Sequence, residues 1–161
     1  MGRNSFKLYH LWVFLLGVAL LAGSSPAAAK PRMSEGQTVY VPVYSHVFYG
    51  DQSRTLNLTV TLTIRNTDAT KAMSLNSVKY LDSAGKLLQE YVPQPIQLDP
   101  LNSTLFHVKE SDVSGGAGAS FIVKWQAKEK VNAPIIEGIM IGAMANQGIS
   151  FTERGQVIEE K

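Results

Sequence analysis

The side chains that could do chemistry lie in two short and separate stretches of the chain. The first stretch carries an imidazole, a phenol, a carboxylate and a guanidinium, at His46, Tyr49, Asp51 and Arg54. Tyrosine is common at binding surfaces because its ring combines a large apolar area with a polar tip. These four residues therefore predict a binding surface. The competing interpretation, which is the favoured one, is that the aromatic rings nearby only close one end of a hydrophobic core.

The second stretch is the loop 110–118 (ESDVSGGAG), in which oxygen-bearing side chains precede the glycines. Glu110, Asp112 and Ser114 could offer oxygen ligands to Ca²⁺, but the acidic spacing and distal glutamate of an EF-hand loop are missing. The glycines could also direct backbone N–H groups toward an anion. A purely structural loop is the favoured alternative.

No arrangement of residues in the sequence indicates catalysis. A nucleophilic serine needs a base, an orienting group and an oxyanion hole, and the G-x-S-x-G pattern is absent. His46 and His107 are not at metal-ligand spacing, and the chain has no cysteine to complete a soft metal site. We therefore assign no catalytic residue, no metal ligand and no cofactor. A non-enzymatic protein is favoured, and an envelope hydrolase ranks third among the functions considered.

Residues 1–29 have the pattern of a signal peptide. Arg3 and Lys7 precede the apolar run 11–22, and Ala27-Ala28-Ala29 forms a small-residue cleavage site. The run is shorter than the roughly 20 residues that cross a bilayer, so cleavage is favoured over a retained anchor. We expect a bacterial periplasmic or secreted protein, in contact with the membrane only if the leader stays uncleaved.

The charge of the chain argues against nucleic acid as a partner. Without Arg3 and Lys7, the 15 basic residues fall to 13, which equals the 13 acidic residues. No block of like charges remains. Binding to nucleic acid requires a basic face for the phosphates, so we exclude this class of partner.

The clearest structural pattern is the segment 54–66 (RTLNLTVTLTIRN). Its aliphatic residues occupy every second position, and its threonines fill the positions between them. Side chains alternate between the two faces of a strand, so the segment predicts a half-buried β-strand. One apolar face of this kind needs a second layer to cover it.

By the same reasoning, the sequence predicts about nine short strands in all, separated by turn residues. We expect an antiparallel all-β sandwich of immunoglobulin-like architecture over residues 38–159, after a flexible segment at 30–37. Proline predicts an edge or a break at Pro42. Out-of-phase apolar residues predict a bulge near Asn76 and Ser77, and turn residues predict hairpins at 82–85 and around 154–155.

Three segments together resemble a known family: VYVPVYSHVFYGD (39–51), ESDVSGGAGASFIVKW (110–125) and QGISFTERG (147–155). They are similar to the bacterial domain-of-unknown-function 3124 family, over nearly the whole segment 38–157. The resemblance implies a leader followed by one compact domain in the bacterial envelope. The family has no established activity, so the resemblance supplies no site residue.

These observations favour a non-enzymatic envelope protein that binds another protein or a glycan. The alternative is a protein that binds a small ligand or a metal ion through the loop 110–118 or through the histidines. An exported all-β domain with aromatic loops and no catalytic pattern is the basis for the first choice.

Overall fold

The structure is a computed structural model that describes residues 32–52, 54–144 and 147–161. These residues form antiparallel β-strands and no helix, and none of them forms a helix long and apolar enough to cross a membrane. The predicted all-β sandwich is confirmed. The predicted signal peptide at 1–29 lies outside the described residues. The strands are β1 (Met33–Pro42), β2 (His46–Tyr49), β3 (Arg54–Asn57), β4 (Thr59–Arg65), β5 (Met73–Leu81), β6 (Leu87–Glu90), β7 (Ile96–Leu98), β8 (Ser103–Val108), β9 (Ser120–Asn132), β10 (Ile135–Met144), β11 (Gln147–Arg154) and β12 (Gln156–Glu160).

The strands form two main sheets and one separate hairpin. The six-stranded sheet has the order β12-β1-β9-β5-β6, with β7 also paired to β5. The four-stranded sheet has the order β11-β10-β4-β8, and β2 pairs only with β3. The apolar faces of both sheets contribute to a single buried cluster. The outer face of each sheet is therefore left for solvent or a partner.

The segment 54–66 supplies one side of this core, as its alternation predicts. Val60, Leu62 and Ile64 are fully buried, and the threonines between them lie on the half-exposed outer face. The segment is nevertheless two strands rather than one. Leu58 interrupts it, because the Leu58 N–H donates to the Ser45 carbonyl at 2.9 Å instead of joining a ladder. The part before Leu58 becomes β3 and pairs with β2.

Two local predictions for the next strands are confirmed. The register between β5 and β9 shifts between Leu75 and Ser77, which is the predicted bulge. The turn from β5 to β6 closes around Asp82, whose carboxylate accepts hydrogen bonds from the N–H groups of Ala84 and Lys86 at 2.9 and 2.8 Å. Gly85 provides the left-handed backbone that this turn requires, with φ of 79°.

The start of the domain differs from the prediction. The sequence predicts a flexible segment at 30–37. This prediction is wrong for residues 33–37, because β1 begins at Met33. Of the two alternatives predicted at Pro42, the edge strand is wrong, because β12 covers the outer side of β1 from Gln37 to Tyr40, and the break is confirmed, because β1 ends at Pro42. Pro42 is the last residue of β1 and lies beyond this pairing, so its missing N–H removes no hydrogen bond to β12.

The predicted terminal hairpin is wrong as well. β11 pairs with β10, whereas β12 pairs with β1 in the other sheet, so the chain changes sheets at Gly155. The Gly155 N–H donates to the Ile136 carbonyl at 2.8 Å. A Cβ atom at this position would lie 2.5 Å from Val39 Cγ1. Glycine therefore permits the close approach that brings the chain across the end of the core.

One end of the sandwich is held by two buried polar side chains. The Asn66 amide donates to backbone carbonyls of the β4–β5 and β7–β8 connections. The Asp68 carboxylate accepts hydrogen bonds from the N–H groups of Thr70, Lys71 and Asn132 at 3.0 Å each. These hydrogen bonds lower the pKa of Asp68 from 3.8 to about 2. Three loops that are distant in sequence are thereby joined.

Candidate functional site

The first predicted site lies on the β2–β3 hairpin, where the structure brings three of its four residues together. Tyr49 faces Arg54 directly across the two strands, and Asp51 lies in the turn between them. His46 is at the other end of β2, opposite Asn57. Because Tyr49 is three positions after His46 along a strand, the two side chains lie on opposite faces of the hairpin.

The hairpin is anchored on one face and free on the other. Tyr49 donates a hydrogen bond to Met144 Sδ at 3.7 Å, at the end of β10, and Val47 packs against the core. On the free face the rings of His46 and Phe48 meet edge to face at 5.3 Å, and Phe48 is 53% exposed. Tyr49 therefore helps to fix the hairpin to the sandwich, as the competing interpretation of these rings expects.

In the second predicted site, the loop 110–118, the side chains of Asp112 and Ser114 bond within the loop and stabilise its turn. Asp112 Oδ1 accepts hydrogen bonds from the Ser114 N–H at 3.1 Å and from Ser114 Oγ at 2.5 Å. This geometry closes a local turn of the kind that aspartate and serine favour. Glu110 is exposed at the start of the loop. The arrangement agrees with a structural loop.

The glycines of this loop are also engaged within the protein. The Gly116 N–H donates to Ser45 Oγ at 2.8 Å, and the Gly118 N–H donates to Ser83 Oγ at 2.9 Å. An anion at these two glycines would compete with both hydroxyl groups. The anion-nest interpretation is therefore not supported at these positions.

The loop covers a buried tyrosine that the sequence does not single out. A Cβ atom on Gly115 would lie 2.0 Å from Tyr80 Oη, so only glycine allows the loop to rest on this ring. Tyr80 is 1% exposed, and its hydroxyl makes no hydrogen bond of good geometry among the described residues, although the Ser45 side chain is near enough to oppose part of its pKa rise. Burial raises the pKa of Tyr80 to about 12, and the nearby charge of Asp112 adds to the rise.

His46 and His107 lie in different parts of the fold. His107 lies on the edge strand β8, where its Nε2 is 3.5 Å from Thr59 Oγ1 on β4. His46 belongs to the separate hairpin. Among residues 32–52, 54–144 and 147–161, no group of three His, Cys, Asp or Glu side chains lies together as metal ligands would.

A third surface, which the sequence analysis missed, is a groove on the outer face of the six-stranded sheet. It consists of a cleft of about 740 Å³ and a cleft of about 480 Å³ that share Gln126 and Lys161. We call the two together the transverse groove. Its lining residues are Gly36, Gln37, Thr38, Thr70, Lys71, Ala72, Met73, Ser74, Asn76, Pro95, Gln97, Lys124, Trp125, Gln126, Ala127, Lys128, Glu129, Glu159, Glu160 and Lys161.

The transverse groove crosses five neighbouring strands. Its lining comes from β7, β5, β9, β1 and β12, in that spatial order. Adjacent strands are about 4.8 Å apart, so the groove extends roughly 19 Å across the sheet. A groove of this length suits an extended ligand better than a single small molecule.

Irregular strand pairing forms the wall of the groove. Gly36 of β1 pairs with Gln126 of β9, but the next paired residues are Ser34 and Val131. The four residues 127–130 of β9 thus lie opposite the single residue Glu35 of β1, and this excess of three residues bulges out of the ladder. The bulge in β5 puts Asn76 on the lining of the smaller cleft.

The floor of the groove is polar and has unpaired lysines. Lys124 and Gln126 are exposed on alternate residues of β9, the middle strand. Lys71 forms an ion pair with Glu129 at 2.9 Å, whereas Lys124 and Lys128 form none within the described part of the chain. These two ammonium groups are therefore available to a ligand.

The polar pattern of this sheet extends to an exposed aromatic ring. Tyr40 lies two residues beyond Thr38 on β1 and is 37% exposed, so both side chains are on the outer face. The side-chain oxygen of Asn76, in the smaller cleft, is buried without a hydrogen-bond partner in the described residues. The face thus combines hydroxyl, amide, ammonium and aromatic groups.

Comparison with known proteins identifies the family. The family described as protein of unknown function (DUF3124) matches residues 36–158. The chain belongs to this family. The match covers the strands of the sandwich from within β1 into β12 and confirms the resemblance seen in the sequence. The family description names no activity, so it adds no functional residue.

No curated protein matches the chain. Among solved structures, the protein described as Thermotoga maritima 1070 is similar, with 13% sequence identity and a TM-score of 0.45. The similarity covers 78% of this chain and 97% of that chain. A similarity this low says nothing about what this chain binds.

Proposed function

We propose that this protein is an exported, non-enzymatic binding module of the bacterial envelope, and that its ligand lies across the transverse groove. The observation that carries the proposal is that two adjoining clefts, which share Gln126 and Lys161, are lined by five neighbouring strands of one sheet. The leader-like pattern at 1–29 supports export to the periplasm or to the medium.

A glycan is the ligand class that the lining favours. Sugar hydroxyls both donate and accept hydrogen bonds, and the groove offers the exposed amide of Gln126 and the half-buried hydroxyl of Ser74. Tyr40, on the same face, offers an aromatic surface for the apolar side of a sugar ring. These groups lie on strands, which hold binding residues more rigidly than loops do.

The second candidate is a protein partner that adds a strand to an open edge. β11 is an edge strand of the four-stranded sheet, and Ile149 on it is 41% exposed. β12 is an edge strand of the other sheet, and Ile158 on it is 54% exposed. Exposed edges present unpaired backbone groups that a peptide can complete.

Two bulky substitutions separate these candidates. Ser74→Trp places an indole in the groove, and Thr152→Trp places the same group on the exposed side of β11. Binding of both variants to an array of bacterial envelope glycans is compared with that of the unsubstituted protein. The proposal expects that only Ser74→Trp abolishes binding. An unsubstituted protein that binds no glycan on the array contradicts the proposal.

Export has its own test. The protein is produced in a bacterium with residues 1–29 present or deleted, and the periplasmic, membrane and cytoplasmic fractions are compared by immunoblot. The proposal expects the intact gene product in the periplasm or the medium and the deleted product in the cytoplasm. Equal distribution of the two products would contradict it.

A further inference from the structure

We infer that the transverse groove takes an acidic glycan, one whose repeating sugars carry negatively charged groups. This inference rests on the proposed function, because it names the chemical class of ligand for the same groove. It comes from the charge state of the groove rather than from its shape.

Around the groove, the carboxylates have partners within the protein, whereas some of the lysines form no ion pair among the described residues. The acidic side chains already have partners: Glu129 pairs with Lys71 at 2.9 Å, and Glu160 pairs with Arg32. Glu159 accepts a hydrogen bond from Thr38 Oγ1 at 2.7 Å. The carboxylates are thus engaged within the protein.

Lys124 on the groove floor and Lys128 on its wall differ from these carboxylates, because they lack an oppositely charged partner among the described residues. Lys124 and Lys128 are exposed, line the groove, and have no ion pair among the described residues. Elsewhere on the same sheet, Lys79 does have an acidic partner, Glu90, at 3.8 Å. Lys161, which lines both clefts, has no ion pair among the described residues either. The groove therefore presents three lysines without an ion pair, and the amide of Gln126 separates two of them, Lys124 and Lys128, along β9.

This arrangement matches a chain that alternates charge with neutral hydroxyls. Lysine is a compact point charge that does not demand a planar partner, so it accepts carboxylate and phosphate oxygens alike. An amide between two ammonium groups can bond to the hydroxyls of a sugar. A neutral glycan would leave both lysines without a counter-charge in the complex.

The test compares two forms of one polymer on the full-length protein: polygalacturonate, and the same polymer with its carboxylates methyl-esterified. We expect measurable binding to the acidic form and at least about fivefold weaker binding to the ester. The affinity for the acid should fall as salt rises from 50 to about 300 mM, because salt screens exposed charges. Equal binding to both polymers overturns the inference and leaves the proposed function standing. Binding to neither polymer overturns the inference, and the glycan array then decides the proposed function.

Charge variants make the test residue-specific. The double substitution Lys124→Gln and Lys128→Gln should weaken binding to polygalacturonate by about fivefold or more. The control is Lys86→Gln with Lys109→Gln, two exposed lysines outside the groove, which should change the affinity less than twofold. Equal losses in both pairs overturn the inference, because they indicate general attraction of a polyanion. Equal affinity of the unsubstituted protein for a single-stranded DNA oligomer overturns it as well.

Discussion

Asn66 offers the sharpest test of how the sandwich is held together. The side chain is 2% exposed, and its amide nitrogen lies 2.8 Å from the Lys71 carbonyl, 3.2 Å from that of Leu98 and 3.0 Å from that of Asp99. Its oxygen accepts a hydrogen bond from the Asp68 N–H at 3.0 Å. Substitution by alanine removes all of these contacts and leaves the backbone groups without their partner.

The expected loss of stability follows from these bonds. The amide has two hydrogens, so the three carbonyls share about two bonds, and the side-chain oxygen adds one more. A typical bond contributes about 1 kcal/mol, and a stranded buried polar group costs about 1–3 kcal/mol. We therefore predict that Asn66→Ala lowers the free energy of unfolding by about 3 kcal/mol. In a domain of this size, this corresponds to a fall of roughly 10 °C in Tm.

Urea and thermal unfolding measure the effect directly. The control is Asn57→Ala, because Asn57 is exposed on β3 and the same change there should cost less than about 0.5 kcal/mol. The two variants should differ in midpoint with the same dependence on denaturant. Equal midpoints for the two variants would refute the view that Asn66 joins the loops at this end of the molecule.

Three further predictions concern stability. The lowered pKa of Asp68, about 2 against 3.8, means that its carboxylate stabilises the fold above pH 4. The unfolding difference between the parent protein and Asp68→Asn should thus shrink as pH falls from 4 to 2, and a constant difference would contradict this. Tyr80→Phe should not destabilise the protein in urea, since the Tyr80 hydroxyl makes no hydrogen bond of good geometry among the described residues; a loss above about 1 kcal/mol would show that it bonds to Ser45. Gly155→Ala should cost about 1–3 kcal/mol, since its Cβ would meet Val39 Cγ1 at 2.5 Å, whereas Gly148→Ala, with its nearest atom at 3.7 Å, should be tolerated.

The parts of the fold that the sequence predicts are those set by local pattern. Alternation with a period of two determines which face of β4 is buried, and the change of phase near Asn76 marks a bulge. The turn at 82–85 follows from its aspartate and glycine. In each case, neighbouring residues carry the whole signal.

The parts that the sequence does not predict depend on distant strands. Whether Pro42 is at an edge depends on β12, which comes more than a hundred residues later. Gly155 has the local appearance of a hairpin turn, yet it changes sheets because Val39 and Ile136 lie beside it in the fold. Pairing partners of this kind are not encoded in the flanking residues.

The candidate sites likewise depend partly on local sequence and partly on residues that are distant in the chain. The sequence indicates the loop 110–118 as a candidate site. It does not indicate that Ser45 and Ser83, which lie in other loops, accept hydrogen bonds from two N–H groups of this loop. The transverse groove has no motif, because it arises where the bulged strands β9 and β5 lie beside three further strands. Whether a lysine such as Lys124 is paired can be read only from the folded chain.

We propose that the ligand lies across the transverse groove, and backbone NMR can locate it. A ¹⁵N-labelled sample is titrated with a short oligogalacturonate, and the amide shifts are mapped on the fold. We expect the largest shifts to follow the groove across β7, β5, β9, β1 and β12, centred on Gln126. Shifts confined to the β2–β3 hairpin, to the loop 110–118 or to the edge of β11 would contradict it.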